Sequence, residues 1–287
     1  TLFLIGHHFL FRWLNKIDER AKYRIILHTA FKSFPLDAEM KELLSSVNVL
    51  VVNSTHEAGK VRIDAPDTHV CIIPPGIDTG GLDEYNKLDL NDGRFRVGCV
   101  SQDIPQIDVP TLLKSFGIAA EKEPRITFGV FADAAQLHIW NIPDMIDVYA
   151  LQDRCSIVNP QPEINYGFPT MGALFKSMDV FVSLHQEESV NVSAIEADYC
   201  GIPMILPEGG ATAEYLSSNV HFLKKEDTFI SAPNNTRYRV FDAEEVASKI
   251  LNRYSNCQTD KQPPNNAPAL KRLDWTVVGN DWLKLFI

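Results

Sequence analysis

Residues 179–216, DVFVSLHQEESVNVSAIEADYCGIPMILPEGGATAEYL, are the most informative stretch of the chain. Its first six residues have the apolar, β-branched composition of an interior parallel strand, and a polar run follows them. Residues 193–200 predict a helix, because Ser193 followed three residues later by Glu196 fits a capping box. A second strand and a glycine turn come next, and then another predicted helix at 212–216.

The same stretch predicts a binding site for a phosphate-bearing ligand. A helix that begins near Ser193 turns its first backbone N–H groups toward the loop after the strand, and such an N-terminus attracts anions. Gly209 and Gly210 let the backbone come close to a ligand. In parallel sheets such ligands lie at the carboxyl edge, where Glu188 and Glu196 would flank them.

The spacing of these residues resembles the donor-site signature of retaining GT-B glycosyltransferases, in particular glycosyltransferase family 4. The matching positions are Glu188, Glu196 after seven intervening residues, Ala197, Gly201, Pro203, Gly209 and Gly210. Other stretches are similar to other parts of that family, namely 51–55 with 70–78, 97–116 and 273–286. The resemblance runs over most of the chain.

The resemblance implies roles for particular residues. In relatives the second glutamate, here Glu196, accepts hydrogen bonds from the ribose hydroxyls of a nucleotide-sugar, and the first, Glu188, lies beside the donor sugar. A carboxylate suits vicinal hydroxyls because its two oxygens only accept. The implied donor-binding set is Glu188, Ser189, Asn191, Val192, Ser193, Glu196, Gly209 and Gly210, with Asn159 and Gln102 at its margin. Without the family pattern, Glu196 is a capping residue and Glu188 a solvated loop charge.

Two residues are candidates for a catalytic role, Glu188 and His28. His28 ends a predicted strand near the cleft, and relatives have a functional histidine in that part of the fold. A histidine at a strand end is also commonly a hydrogen-bonded structural residue. Residues 157–160 are expected either to line a pocket for the nucleotide base, as in relatives, or to be an ordinary strand end.

One feature of the family pattern is missing from this chain. Relatives carry an Arg and a Lys in the loop after the first strand of the C-terminal domain, and these neutralise the diphosphate leaving group. Gln102 and Ile107 stand at those positions. Removing one preorganised donor to a developing charge costs on the order of 10²–10³ in rate, so the loss bears directly on activity. The cations considered as replacements are Lys114, Arg94, Arg96 and Lys176.

Composition excludes several classes of protein. The apolar content of 45% and charged content of 22% are ordinary for a globular protein, and the net charge of −10 disfavours nucleic acid as a partner. Five cysteines without zinc-site spacing predict reduced thiols, hence a reducing, cytoplasmic setting. No apolar run reaches the roughly 20 residues that span a bilayer, so any membrane contact is expected to be peripheral. Dispersed carboxylates predict no metal site, and the resemblance implies no cofactor beyond the nucleotide-diphosphate sugar as co-substrate.

Alternating predicted strands and helices indicate an α/β protein. The expected fold is GT-B, with two Rossmann-like domains facing a cleft. We expect an acceptor-side domain over 1–82, a nucleotide-sugar-binding domain over 83–269, and a closing helix in 270–287 that returns to the first. Compared with the family, the N-terminal domain lacks roughly two βα units and is expected to be incomplete.

Three functions are compatible with these observations. The first is a retaining glycosyltransferase that moves a hexose from a nucleotide-diphosphate sugar to a hydroxyl acceptor, which is a glycan, lipid or small molecule. The second is a catalytically weakened GT-B protein that binds nucleotide or a partner and acts as a noncatalytic subunit, as the missing cations suggest. The third is another GT-B activity such as sugar-nucleotide epimerisation, for which no acid/base set is evident.

Overall fold

The computed structural model covers most of the chain. It describes residues 1–6, 14, 22–31, 34–84, 92–100, 107–131, 140–158, 171–186, 189–216, 220–224, 227–231, 236–257 and 267–286.

The first part of the chain forms a four-stranded parallel sheet in the order β1-β2-β3-β4. Its strands are β1 (Leu2–Ile5), β2 (Ile25–His28), β3 (Val49–Val52) and β4 (Val70–Ile72). Its helices are α1 (Ala38–Ser45) and α2 (Thr55–Asp64), followed by the short α3 (Thr79–Asp83). Runs of Val, Ile and Leu such as VLVV in β3 are buried on both faces, which is typical of interior parallel strands.

A six-stranded parallel sheet follows, in the order β10-β9-β8-β5-β6-β7. Its strands are β5 (Phe95–Val100), β6 (Ile126–Phe131), β7 (Cys155–Val158), β8 (Val180–Val182), β9 (Met204–Pro207) and β10 (Val220–Leu223). The helices between them are α4 (Val109–Lys122), α5 (Ile142–Val148), α6 (Met171–Lys176) and α7 (Val192–Tyr199). This order, read from β7, is that of a doubly wound dinucleotide-binding sheet.

Several elements after β9 differ from the prediction or were not predicted. The expected helix at 212–216 is a 3-10 turn, Ala211–Glu214. Beyond it lie β10, an antiparallel hairpin of β11 (Asp227–Ser231) and β12 (Thr236–Val240), and α8 (Ala243–Cys257), none of which the sequence reading identified. The amphipathic α8 packs its buried Val246, Ala247 and Ile250 on the core of the six-stranded sheet.

The chain closes with α9 (Ala267–Leu270) and α10 (Trp275–Lys284), and α10 packs on the first sheet. Val278 is 1% exposed among Ile26, Val51 and Ile73, and the Trp282 ring meets Phe3 edge-on at 5.5 Å. The aromatic residues of this closing segment are not all buried, since Trp275 and Phe286 are about half exposed. All five cysteines are free. Among the described residues, no helix has both the length and the apolar character to cross a bilayer.

Candidate functional site

The candidate site lies where the strand order of the six-stranded sheet reverses, between β5 and β8. At such a switch point the connections leave in opposite directions and open a crevice at the carboxyl ends of the strands. The loops after these two strands meet there, because Ile107 pairs with His185 in an isolated bridge and the Asp108 N–H donates to Leu184 O at 3.1 Å. Ile107, which the family resemblance aligns with a cation, is 6% exposed.

The N-terminus of α7 faces this crevice, and its cap differs from the prediction. The helix begins at Val192, and the capping residue is Asn191, whose side-chain oxygen accepts from Ala194 N at 3.2 Å. The capping box expected from Ser193 and Glu196 was wrong. Asn is as strong a cap as Ser, and the Asn191 amide is also held by Ser183 Oγ at 3.0 Å. The Val192 and Ser193 N–H groups make no hydrogen bond in the described part of the chain, and they are available to an anion.

The glycine turn is tied to this helix start by Thr212, which the sequence reading missed. Thr212 Oγ1 accepts from the Asn191 N–H at 2.8 Å and donates to Ser189 O at 3.3 Å. Gly209 and Gly210 have φ values of 78° and 81°, a conformation that side-chain-bearing residues rarely adopt. Ser189, Asn191 and both glycines are thus brought together.

Glu196 lies on the same helix, one turn beyond the N-terminus. Its carboxyl is partly buried and makes no hydrogen bond within the described residues. Burial, with a smaller contribution from the Asp78 carboxylate, raises its pKa to about 7. Asp78 belongs to the segment that joins the two sheets, so the Glu196 carboxyl lies toward the gap between them. An acceptor that lacks a protein donor suits a ligand that brings hydroxyl donors.

The 3-10 turn after the glycines reaches the first sheet. The Glu214 carboxylate accepts from the backbone N–H groups of Thr55, at 2.9 Å, and His56, at the start of α2. The Tyr215 hydroxyl donates to Asn53 O. Neither residue was singled out by the sequence reading, since a single Glu or Tyr in a turn gives no signal of a long-range contact.

His28 lies at the end of β2, on the first sheet's side of the gap. Its Nε2 is hydrogen-bonded to Asn53 Oδ1 at 3.0 Å, and its ring meets Trp282 edge-on at 5.0 Å. Burial lowers its pKa, so the ring is neutral at neutral pH. His28 contacts the turn that carries Tyr215 only indirectly, through Asn53. Its contacts fit the structural interpretation that the sequence left open.

The remaining predicted residues divide into two groups. Glu188, Gln102 and Asn159 lie outside the described residues. The replacement cations lie elsewhere: Arg94 and Arg96 precede or begin β5 at the opposite edge of the sheet, and Lys114 is exposed on α4. Lys176 Nζ donates to Leu82 O, at the end of α3, at 2.5 Å. None of these four is positioned by the described contacts at the carboxyl edge. Among the described residues, no group of three or more His, Cys, Asp and Glu side chains could hold a metal ion.

The fold is similar to that of solved glycosyltransferase structures. The chain aligns over 100% of its length with 78% of Anabaena HepE in complex with UDP, with a TM-score of 0.71 and 15% identity. It aligns over 99% with 72% of sucrose-phosphate synthase from Thermosynechococcus elongatus, with a TM-score of 0.73 and 15% identity. The pneumococcal O-GlcNAc transferase GtfA, in complex with UDP and GlcNAc, gives a TM-score of 0.65 and 12% identity over 91% of this chain and 52% of GtfA.

These likenesses show the fold. The chain is an α/β protein of the GT-B type, with two Rossmann-like units, as predicted. No protein-family model and no curated protein sequence matches it.

Proposed function

We propose that this protein is a retaining glycosyltransferase, similar to family 4, that moves a hexose from a nucleotide-diphosphate sugar to a hydroxyl acceptor. One observation on α7 carries the proposal. Within the described structure, the N–H groups at its N-terminus have no acceptor, and the Glu196 carboxyl one turn later has no donor. The first set suits a diphosphate and the second suits ribose hydroxyls. Both belong to one helix at the switch point of a doubly wound sheet.

In this proposal the parts of the site have distinct roles. The diphosphate lies against the N–H groups of Val192 and Ser193, with Ser189 and Asn191 shaping the loop beside it. Gly209 and Gly210 leave room for the sugar, and Glu188 lies beside that sugar, as the family resemblance implies. His28 faces the acceptor side. Gln102 and Asn159 stay candidates at the margin of the donor site, the latter for the base.

The proposal assigns each part of the chain a task. Residues 1–82, with the closing helix of 270–287, form the acceptor-side domain, and residues 83–269 bind the nucleotide-sugar. HepE and GtfA were solved with UDP, so uridine is the first base to test. The unpaired, dispersed cysteines support a reducing compartment for this chemistry.

A second function is favoured by one specific observation. Ile107 is buried where relatives have a cation, and the four replacement cations considered above are held elsewhere. A catalytically weakened GT-B protein that binds a nucleotide or a partner, and acts as a noncatalytic subunit, accounts for that loss.

Calorimetric titration with UDP, GDP and ADP tests both functions, with Glu196→Ala beside Glu121→Ala, which removes an equal charge at an exposed position of α4, as the control. We expect one nucleotide to bind, and Glu196→Ala alone to weaken it by about tenfold or more. An assay of donor hydrolysis or sugar transfer then distinguishes the two functions, since only the enzyme would show turnover. No binding by a folded protein would contradict a nucleotide-sugar site.

A further inference from the structure

A buried arginine on the hairpin after β10 contacts both loops of the candidate donor site. Arg239, on β12, is 7% exposed. Its Nη1 donates to Glu208 O at 2.9 Å, in the loop after β9. Its own backbone carbonyl accepts from Gln186 Nε2 at 2.9 Å, in the loop after β8. One residue therefore links the segment that leads to α7 with the segment that leads to the glycine turn.

The neighbourhood of Arg239 is the donor site itself. A small cavity of about 20 Å³, with room for about one water molecule, is lined by Arg239 together with Ser189, Asn191, Gly209 and Thr212. Glu208, whose carbonyl Arg239 holds, directly precedes Gly209. Two consecutive glycines have no Cβ to pack, so the shape of this turn depends on hydrogen bonds from outside it. Arg239 donates to Glu208 O just before the turn, and Thr212, just after it, is bonded to Asn191 and Ser189 of the other loop. Gln186 holds the backbone carbonyl of Arg239.

We propose that Arg239 is a positioning residue of the donor site, which holds the loops after β8 and β9 at the spacing that a nucleotide diphosphate requires. This inference rests on the proposed function. A guanidinium suits this role for two reasons. A buried charge is costly unless it is hydrogen-bonded, so the side chain is held to its partners, and the planar group fixes the directions of its hydrogen bonds, as a lysine ammonium does not. The family resemblance assigns no role to this hairpin, and the position acts through Glu208 and Gln186 rather than through the substrate.

The first test needs no ligand. Hydrogen exchange followed by mass spectrometry compares the wild-type protein with Arg239→Met, using peptides that contain Ser189–Asn191 and Glu208–Gly210. We expect Arg239→Met to speed exchange in the Glu208–Gly210 peptides, whose carbonyl the guanidinium holds, and to leave α4 and the first sheet unchanged. Gln186→Met, which removes the bond to the Arg239 backbone carbonyl, should speed exchange in the Ser189–Asn191 peptides. A matched control is Arg125→Met, an exposed arginine of the same unit, which is bonded to Glu123 at the opposite edge of the sheet. Unchanged exchange in both loops, or a uniform increase across the protein, would overturn the proposal.

The second test measures nucleotide affinity by calorimetry. We expect Arg239→Met to weaken the affinity for the nucleoside diphosphate by about tenfold or more. Arg239→Lys should restore little of this affinity, since lysine keeps the charge but loses the planar guanidinium and its several N–H donors. Gln186→Met should act in the same direction, and the double variant should be less than additive because both side chains hold one arrangement. Wild-type nucleotide affinity in Arg239→Lys would overturn the positioning role of Arg239. If the wild-type protein binds none of UDP, GDP and ADP, the proposed function fails, whereas the exchange experiment still decides the role of Arg239.

Discussion

The Glu214 carboxylate accepts a hydrogen bond of 2.9 Å from the backbone N–H of Thr55, 159 residues earlier in the chain. Thr55 is the first residue of α2, where N–H groups have no acceptor within the helix and the helix dipole favours a negative charge. The turn that presents Glu214 also carries Thr212, which holds the start of α7. The same short turn thus joins the candidate donor site to the first sheet.

We expect Glu214→Ala to lower stability by about 0.3–1 kcal/mol, because a carboxylate at a helix N-terminus contributes that much at an exposed site. The measurement is the midpoint of thermal unfolding at low and high salt, and the loss should shrink as salt screens the dipole. Glu208→Ala removes an equal charge three residues upstream of Ala211, from an exposed side chain. Equal losses in the two variants would show that the contact with α2 contributes nothing.

Gly209→Ala and Gly210→Ala should each destabilise the protein by about 1–3 kcal/mol, because both residues have positive φ and an alanine there is strained. Gly59 is the matched control. It lies inside α2, and a Cβ built on it meets no atom within 4 Å. Gly59→Ala should therefore stabilise the protein by about 0.5–1 kcal/mol. Urea unfolding distinguishes the opposite signs, and a neutral Gly210→Ala would mean that this turn relaxes to another conformation.

Glu196 should make stability fall as pH rises. Its pKa is raised from 4.5 to about 7 in the folded protein, so between these pH values the folded state binds more protons than the unfolded one. Under that condition the free energy of unfolding decreases with pH, and at 1.36 kcal/mol per unit the full effect is roughly 3 kcal/mol. Glu196→Gln removes the titration.

The comparison is the difference in unfolding free energy between the wild-type protein and Glu196→Gln, measured from pH 4 to pH 8 (roughly the range in which the group titrates). Carboxyls distant from Glu196 contribute equally to both proteins and cancel. We expect Glu196→Gln to gain stability relative to the wild type as pH rises. A difference that does not change with pH would mean that the Glu196 carboxyl is well solvated in the folded protein.

The one helix cap that the sequence predicted, at Ser193, was wrong for a physical reason. The pattern Ser-x-x-Glu occurs at Ser54–Glu57 and at Ser193–Glu196. Only the first forms a reciprocal cap, in which Ser54 Oγ accepts from Glu57 N at 3.1 Å and donates to its carboxylate. At the second, Asn191 competes, and its contact with Ser183 is a tertiary contact that no local pattern reveals.

Long-range contacts account for the other omissions as well. Thr212, Glu214 and Arg239 act across 21, 159 and 31 residues of chain, so their roles follow from the packing of loops and not from sequence spacing. By contrast, the Gly209-Gly210 turn was predictable, because positive φ selects glycine locally.

Glu57 tests what holds the loops after β2 and β3, at the carboxyl edge of the first sheet. It is fully buried, and its carboxylate accepts from the backbone N–H groups of Phe31, at 3.2 Å, and Asn53, at 3.1 Å. These bonds fix the loops after β2 and β3, beside His28. Burial raises the pKa of Glu57, and the hydrogen bonds partly oppose that rise.

Glu57→Ala should cost about 2 kcal/mol or more in unfolding free energy, because it removes the acceptor of one buried and one partly buried N–H group, and a buried group left without an acceptor costs about 1–3 kcal/mol. Glu57→Gln keeps one acceptor oxygen and should cost less. Glu42→Ala, at an exposed position of α1, is the control and should change stability by no more than about 0.5 kcal/mol. Urea unfolding measures all three. If Glu57→Ala and Glu57→Gln are equally mild, water replaces the carboxylate, and the two loops are held by the packing of Phe31 instead.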